Sequence, residues 1–383
     1  MGRGAARCAA GELTSVLKER WAEPRGGNLG LQNAANPVFV PCSLPASGRK
    51  YRGGWIHANE LGYPVIPAEA DYTKTVNALA PLVVVAGPTG SGKSDLAIEL
   101  AEAFQGEIVN CDSLQLYRYL NIGTAKTPVP ERRGVSHHLF DIVNPDEVFT
   151  AGDYSRLARA AVQEIAGRGK LPIVTGGTGF YLRAFLDGLF PGPGRDVNLR
   201  ARLMRRPGSL HKLLHRFDPA AAFRIHANDT KKLIRALEVC LLARRPMSAL
   251  HAEGTEPLAG FRVLKLGLDP PRAALVERLN HRCIKMFEIG LADEVRQVMA
   301  LGYSPGSKAF ESIGYRETIQ YIAGGLTAEE AIASSQIATR QYAKRQRTWF
   351  RREAGIVWLE GFGNLPHTIA MANGFVQNFL NIS

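Results

Sequence analysis

The 383-residue chain has few cysteines, no long apolar run and no obvious targeting segment. Its five cysteines are scattered and none belongs to a C-x-x-C pair, which argues against a disulfide framework and a zinc site. We therefore expect a reducing compartment, the cytoplasm. No stretch of about 20 uncharged apolar residues occurs, so we expect no membrane span. Residues 1–25 lack the apolar segment of a secretory signal, and their acidic residues argue against a transit peptide.

Acidic residues are fewer than basic ones. The chain has 47 Lys and Arg against 35 Asp and Glu, a formal net charge of +12. An excess of this size suits a polyanionic partner such as nucleic acid, but many soluble proteins are basic and the charge alone leaves the partner open. The composition, 45% hydrophobic and 21% charged, is ordinary for a globular protein and excludes disorder of the whole chain.

The first 80 residues differ from the rest. They are rich in Gly and Pro and have no sustained helical or strand period, so we predict a poorly ordered extension over residues 1–80. The apolar run at residues 82–86 then predicts a buried parallel strand, followed by a Gly-rich turn and a helix over 94–104. Further strands are predicted at 107–111, 171–175, 261–268 and 356–359, and helices at 150–165, 272–300 and 327–352. Thr150 and Asp153 are spaced as a capping box at the start of one of these helices.

The alternation of strands and helices predicts an α/β fold, a parallel sheet flanked by helices. Over residues 196–260 the strand signals fade and Arg-rich helical segments replace them, which predicts an inserted helical subdomain. We therefore divide the chain into a core of residues 81–195 and 261–362, the insertion, and a C-terminal tail of residues 363–383.

A phosphate-binding loop is the strongest chemical signal, because it lies between a predicted strand and a predicted helix. The pattern G-x-x-x-x-G-K-[ST] is matched by Gly87, Pro88, Thr89, Gly90, Ser91, Gly92, Lys93 and Ser94. The glycines let the backbone wrap around phosphate oxygens, and the helix N-terminus offers free N–H groups. Lys93 supplies a cation and the Ser94 hydroxyl can bind Mg²⁺. The pattern predicts a bound polyphosphate without identifying it as ATP.

The acidic residue that nucleotide hydrolases place at the end of a second strand is missing from the best candidate strand. The strand at 171–175 runs into Gly176, Gly177, Thr178 and Gly179. The early strand that does end in an acid is 107–111, followed by Asp112. A carboxylate at that place can be a metal ligand, a general base or a turn cap, and its position alone leaves these open.

Several further segments match one family in order along the chain. They are GPTGSGKS (87–94), CDSLQLY (111–117), NIGTAK (121–126), HHLFDI (137–142), GGTGFYL (176–182), RIHANDTKKLIRALEV (224–239), ERLNHR (277–282), IGYRE (313–317) and KRQRTWFRR (344–352). Together they resemble the tRNA dimethylallyltransferases of bacterial type, also called tRNA isopentenyltransferases or IPP transferases. The resemblance spans about residues 82–360 and implies a P-loop NTPase-like fold.

The resemblance also implies a reaction. The family transfers a dimethylallyl group from dimethylallyl diphosphate to N6 of the adenosine 3′-adjacent to the anticodon, position 37 of the tRNA. Asp112 would accept a proton from the attacking amine, and Lys93, Thr178, Arg282 and Mg²⁺ on Ser94 would neutralise the departing diphosphate. The expected partners are a tRNA anticodon stem-loop and the allylic diphosphate, the expected cofactor is Mg²⁺, and the chain is expected to act as a monomer.

The tRNA contacts follow from the same resemblance, because the target base must be extruded into the site. They are Asp112, Ser113, Leu114, Gln115, Lys231, Lys232, Leu233, Ile234, Arg235, Gly314, Tyr315, Arg316, Lys344, Arg345, Gln346, Arg347, Thr348, Trp349 and Arg351. Residues 336–352 also suggest RNA binding by themselves, because they carry six basic side chains, no acidic one and interleaved aromatics. A solvated helix face is the alternative for that segment.

Two other classes of function remain open on the residues alone. A P-loop small-molecule kinase would bind ATP and ignore tRNA. An RNA-binding module without activity would bind tRNA with a steep salt dependence and ignore the allylic diphosphate.

Overall fold

The computed structural model describes residues 79–381. The predicted extension of residues 1–80 therefore lies outside the described residues, except for its last two positions. The strands are β1 Ala80–Ala86, β2 Gly106–Asn110, β3 His137–His138, β4 Leu171–Gly176, β5 Phe261–Asp269 and β6 Ile356–Glu360. They form a parallel sheet in the order β3-β2-β4-β1-β5-β6.

Helices connect and cover the strands, which confirms the predicted α/β class. They are α1 Lys93–Ala103, α2 Ala151–Gly167, α3 Gly179–Leu186, α4 Val197–Met204, α5 Leu210–Phe217, α6 Pro219–Arg224, α7 Thr230–Ala243, α8 Met247–Ala252, α9 Arg272–Glu288, α10 Leu291–Ala300, α11 Tyr315–Ile322, α12 Ala328–Phe350 and α13 Pro366–Asn381. Short 3₁₀ turns occur at Val129–Arg132, Pro207–Ser209 and Lys308–Glu311. None of the helices described is long and apolar enough to cross a membrane.

The central strand β1 is buried on both faces, which explains its uninterrupted apolar sequence. Leu82 and Val84 face a core that also contains side chains of α2, α3, α10 and α12. Val83 and Val85 face a second core formed with α1 and α13. Since side chains alternate between the faces of a strand, a strand covered by helices on both sides must be apolar at every position.

The segment between β4 and β5 that follows α3 is helical. Helices α4 to α7 pack around their own cluster, in which Leu203, Leu214 and Leu237 are buried. Glu238 of α7 is also buried and accepts hydrogen bonds from Arg200 and Arg235. The segment therefore has a small core and an internal ion cluster of its own.

Three local predictions can be compared with the structure. The capping box at Thr150 and Asp153 is confirmed, with both of its hydrogen bonds present. A single helix over residues 272–300 is wrong, because Gly290 adopts φ 99° and separates α9 from α10. Residues 363–383, predicted only as a tail, include α13, which buries Ala372 and Val376 in the second core.

Candidate active site

The phosphate loop lies between β1 and α1, at the carboxyl edge of the sheet. Gly92 precedes α1 with φ 85°, a left-handed conformation that other residues rarely adopt. The Lys93 ammonium donates a hydrogen bond to the carbonyl of Pro88 at 2.8 Å, across the loop. Burial lowers the pKa of Lys93 to about 8, and the nearby carboxylate of Asp112 opposes that shift. The cation of the loop therefore lies within electrostatic range of the candidate base.

Asp112 follows β2 and serves first as a turn cap, one of the alternatives that the sequence left open. Its Oδ1 accepts a hydrogen bond from the N–H of Leu114 at 2.9 Å, and its own N–H donates to Asn110 Oδ1 at 2.8 Å. Its other carboxylate oxygen accepts no hydrogen bond from residues 79–381, and Asp112 lines a cavity. Capping therefore fixes the carboxylate and leaves one oxygen available to a ligand.

Thr178 and Arg282 converge on the same place from other elements. Thr178 follows β4, and its hydroxyl accepts a hydrogen bond from the N–H of Ser113 at 3.0 Å. Arg282 extends from α9 into the cavity, where burial lowers the pKa of its guanidinium. Asp112, Thr178, Arg282 and Lys93 thus surround one site, although they come from four elements.

A cavity of about 260 Å³ leads away from the phosphate loop between α9 and α12. Thr89 of the phosphate loop, Asp112 and Arg282 line it. The remaining walls carry Ser113, Leu114, Gly123, Thr124, Cys283, Met286, Phe287, Leu291, Glu311, Ser312, Ile313, Gly314, Ser335, Thr339 and Tyr342. Arg282 supplies a cation, and Met286, Phe287 and Ile313 supply apolar surface, so the cavity suits an anion that bears a short hydrocarbon group.

Two titratable groups beside Asp112 stay protonated near neutral pH. Burial raises the pKa of the Cys111 thiol to about 12. Burial also raises the pKa of the Tyr342 phenol, and the charge of Asp112 adds to this effect. Neither group therefore supplies an anionic base beside Asp112.

Ser94 is the protein group that the loop offers to a metal. It lies half-buried in the first turn of α1. Among residues 79–381, no group of three or more His, Cys, Asp or Glu side chains could hold a metal ion. Mg²⁺ commonly binds one or two protein oxygens and completes its shell with phosphate oxygens and water. Ser94 therefore fits a Mg²⁺ that is shared with a diphosphate.

A basic groove of about 690 Å³ lies along the exposed side of the second half of α12. It is lined by Arg183, Gln341, Lys344, Arg345, Thr348, Trp349 and Arg352. The guanidinium of Arg183 lies over the Trp349 ring at 4.6 Å from its centroid. The indole itself is half-buried and packs against the core. The exposed cations around it are typical of surfaces that bind RNA phosphates.

Other basic side chains of α12 and of its C-terminal cap point away from this groove. Arg347 and Arg351 form ion pairs with Asp269 of β5 at 2.6 and 3.1 Å. Phe350 is buried in the core that also contains Leu82 and Val84, so it cannot stack on a base. The interleaved pattern in the sequence therefore covers two faces of one helix.

Several residues predicted to contact tRNA have buried side chains. Leu233 and Ile234 belong to the core of the helical insertion. The Tyr315 side chain is fully buried, and its hydroxyl donates to Glu294 at 2.5 Å. Gln346 is 5% exposed. These side chains lie beneath the protein surface and are not part of it.

Of the remaining predicted contacts, Gly314 is also buried and the others are partly or fully accessible. Lys231 and Lys232 are exposed at the start of α7, where Lys232 pairs with Asp229. Arg316 pairs with Glu317. Gln115 donates from Nε2 to the carbonyl of Thr124 at 3.1 Å, so it holds the loop that forms one wall of the cavity.

Sequence reasoning missed the apolar wall of the cavity. Met286 and Phe287 lie one turn beyond Arg282 on α9, and Ile313 is the first residue of the matched IGYRE segment, where it was given no role. The spacing of four between Arg282 and Met286 on one helix was a usable signal. Tyr342 is one of the aromatics interleaved among the basic residues of 336–352, yet it lines the cavity beside Asp112.

The chain is similar to known proteins over most of its length. The family model described as IPP transferase matches residues 115–353. A tRNA dimethylallyltransferase of Solibacter usitatus is 59% identical over 304 residues, 78% of this chain and 99% of the relative. One of Koribacter versatilis is 54% identical over 288 residues, 74% of this chain and 94% of the relative.

Solved structures agree with these relatives. A tRNA isopentenylpyrophosphate transferase from Bacillus halodurans matches with a TM-score of 0.59 and 35% identity, over 79% of this chain and 97% of that chain. A eukaryotic dimethylallyltransferase whose structures concern its action on tRNA matches with a TM-score of 0.68 and 29% identity, over 78% of this chain and 80% of that chain. The chain therefore belongs to the IPP transferase family, the tRNA dimethylallyltransferases.

Proposed function

We propose that this protein transfers a dimethylallyl group from dimethylallyl diphosphate to N6 of the adenosine that follows the anticodon of a tRNA. The observation that carries the proposal is the cavity beside Asp112, which is lined both by Thr89 of the phosphate loop and by apolar side chains such as Met286 and Phe287. Family membership supports this activity over the kinase alternative.

The diphosphate would lie against the phosphate loop, with Lys93, Thr178 and Arg282 around it. The lone pair of adenine N6 attacks C1 of the allyl group, the C1–O bond breaks, and the diphosphate leaves with the bonding electrons. The free oxygen of Asp112 accepts the proton that N6 releases. Mg²⁺ bound through Ser94 would neutralise charge on the diphosphate.

The adenine must leave the anticodon loop to reach Asp112. Ser113, Leu114, Gly123 and Thr124 line the cavity beside Asp112, where an extruded base would pack. The groove around Trp349 would hold neighbouring nucleotides through phosphates and stacking.

The test uses the full chain with dimethylallyl diphosphate, Mg²⁺ and an unmodified tRNA that has adenosine after its anticodon. Nucleoside mass spectrometry should detect N6-dimethylallyladenosine, and a tRNA with guanosine at that place should give no product. ATP consumption with transfer of its phosphate, and no prenylated nucleoside, would refute the proposal.

Asp112→Asn should lower kcat by about 10²-fold or more, since a positioned general base contributes at least that much. The tRNA dissociation constant should stay within about twofold of the wild-type value. The matched control is Asp146→Asn, because Asp146 is exposed and does not line the cavity. Normal turnover with lost tRNA binding would reject the role of Asp112 as a base.

A further inference from the structure

Gln346 lies within the segment of α12 expected to contact tRNA, but its side chain points into the protein. It is 5% exposed, whereas its neighbours Lys344 and Arg345 are exposed and line the basic groove. One helix therefore carries a basic groove on one side and an internal amide on another.

The amide of Gln346 joins two loops at the edge of the sheet. Its Oε1 accepts a hydrogen bond from the N–H of Thr89 in the phosphate loop at 2.8 Å. Its Nε2 donates to the carbonyl of Gly177 at 2.8 Å. One partner is a donor and the other an acceptor, so the network assigns the orientation of the amide.

The contact at Gly177 leaves no space for a larger residue or for movement of the amide. A Cβ placed on Gly177 would lie 2.2 Å from Gln346 Nε2. Gly177 immediately precedes Thr178, whose hydroxyl holds the N–H of Ser113 at 3.0 Å. Gln346 thus contacts the backbone at two points, once beside Thr178 and once within the phosphate loop.

We propose that Gln346 is a positioning residue for the diphosphate, and that it does not contact tRNA. A phosphate loop binds through the directions of its backbone N–H groups. Because the N–H of Thr89 is held by Gln346, the side chain fixes how that loop lies relative to Thr178. The inference rests on the proposed function for the identity of the donor substrate, but the contacts themselves concern any diphosphate.

Loss of the amide would leave the partly buried N–H of Thr89 and the buried C=O of Gly177 without partners, which is costly. The phosphate loop and the Thr178 loop would then relax independently. We expect weaker diphosphate binding and a lower kcat, with tRNA binding on the exposed side of α12 preserved.

Two substitutions separate this role from an RNA contact. Gln346→Met keeps the length of the side chain and removes both hydrogen bonds. Gln346→Glu keeps an acceptor for Thr89, but it can donate to Gly177 only when its carboxyl is protonated. The matched control is Gln320→Met on the exposed surface of α11, and the comparator is Lys344→Ala in the groove.

Each variant of the full chain is measured for the KM of dimethylallyl diphosphate, kcat, tRNA binding on filters and inhibition by inorganic diphosphate. Gln346→Met should raise the KM and the diphosphate inhibition constant about tenfold or more, the effect of losing one to two hydrogen bonds. Its tRNA dissociation constant should change less than about twofold. Lys344→Ala should give the opposite pattern, and Gln320→Met should match the wild type.

Measurements at several pH values distinguish loss of the hydrogen bonds from loss of packing, because a packing defect would not change with pH. Relative to the wild type, the defect of Gln346→Glu should shrink between about pH 8 and about pH 6, because a buried carboxyl is protonated at an unusually high pH. A defect in tRNA binding like that of Lys344→Ala, or unchanged diphosphate binding in both variants, would overturn the proposal. If the wild type made no prenylated tRNA, the proposed function would fail while diphosphate binding, followed by thermal shift, would still report on Gln346.

Discussion

The hydroxyl of Thr178 and the backbone N–H of Ser113 form a hydrogen bond of 3.0 Å between the loops that follow β4 and β2. The carbonyl of Cys111 also accepts a hydrogen bond from the N–H of Thr178 at 3.2 Å. The two loops are therefore held side by side, and the candidate base Asp112 lies in the segment that Thr178 holds.

Two substitutions of Thr178 distinguish the role of its hydroxyl from the role of its side-chain shape. Thr178→Val keeps the branched side chain but removes the acceptor of the Ser113 N–H, whereas Thr178→Ser keeps the hydroxyl. We expect Thr178→Val to lower the single-turnover rate of prenyl transfer about 10²-fold, the typical effect of losing one polar group that stabilises a transition state. Thr178→Ser should keep most of the activity, and equal rates for the two variants would contradict this role.

The ion cluster at Glu238 should control the stability of the helical insertion. Burial alone would raise the pKa of Glu238, but hydrogen bonds from Arg200, Arg235 and the N–H of Asp196 outweigh it and lower the pKa to about 2. Glu238→Gln leaves both arginines without their carboxylate, and we expect the free energy of unfolding to fall by about 3 kcal/mol at neutral pH. Urea denaturation followed by circular dichroism measures this.

The same cluster predicts the sign of a pH effect. A carboxyl whose pKa is lowered on folding stabilises the protein above its ordinary value of 4.5, and this contribution is lost as the pH falls toward 2. The stability difference between wild type and Glu238→Gln should therefore be full at about pH 7 and smaller at about pH 3. A difference that grew on acidification would show that Glu238 does not carry the effect.

Gly363 should be intolerant of a side chain because it touches the phosphate loop. Its N–H donates to the carbonyl of Ser91 at 2.8 Å, and a Cβ added to it would lie 2.2 Å from the carbonyl oxygen of Gly92. Gly363→Ala should displace the loop and raise the inhibition constant of inorganic diphosphate about tenfold.

Gly374 is the matched control, since a Cβ there meets nothing within 4 Å. It lies exposed within α13, so Gly374→Ala should raise stability by up to about 1 kcal/mol without changing diphosphate binding. Equal diphosphate affinity in the two variants would show that the contact at Gly363 is irrelevant to the loop.

Basic residues on the two faces of α12 should differ in their effects on tRNA binding. Lys344 lines the open groove, whereas Arg347 is paired with Asp269 at 2.6 Å. Lys344→Ala should weaken tRNA binding and reduce the slope of log K against log salt by about 1, as expected for one lost phosphate contact. Arg347→Ala should change the slope less, and the reverse order would place the RNA on the other face.

Features that depend on neighbours in the chain were predictable. The apolar run of β1, the phosphate-loop pattern and the capping box at Thr150 each involve a few consecutive residues, and the structure contains all three. The break between α9 and α10 was missed although Gly290 was visible in the sequence, because a glycine within a helical pattern does not always end the helix.

The site depended on contacts between distant parts of the chain. Gln346 and Thr89 are 257 residues apart, and nothing in the segment around Gln346 distinguishes an internal amide from an RNA contact. Lys231, Lys232, Leu233 and Ile234 are consecutive in a matched segment. The helix directs the side chains of Leu233 and Ile234 into the core of the insertion.

The sequence by itself determined the α/β class, the phosphate loop and, through its ordered motifs, the family. Each of these depends on residue types at short spacings along the chain. Only the tertiary structure decided which side of α12 faces solvent, which side chains form the apolar wall beside Asp112, and that Gln346 and Gly363 contact the phosphate loop. Those outcomes depend on how helices pack on the sheet, and a helical period of 3.6 residues distributes one basic segment over several faces.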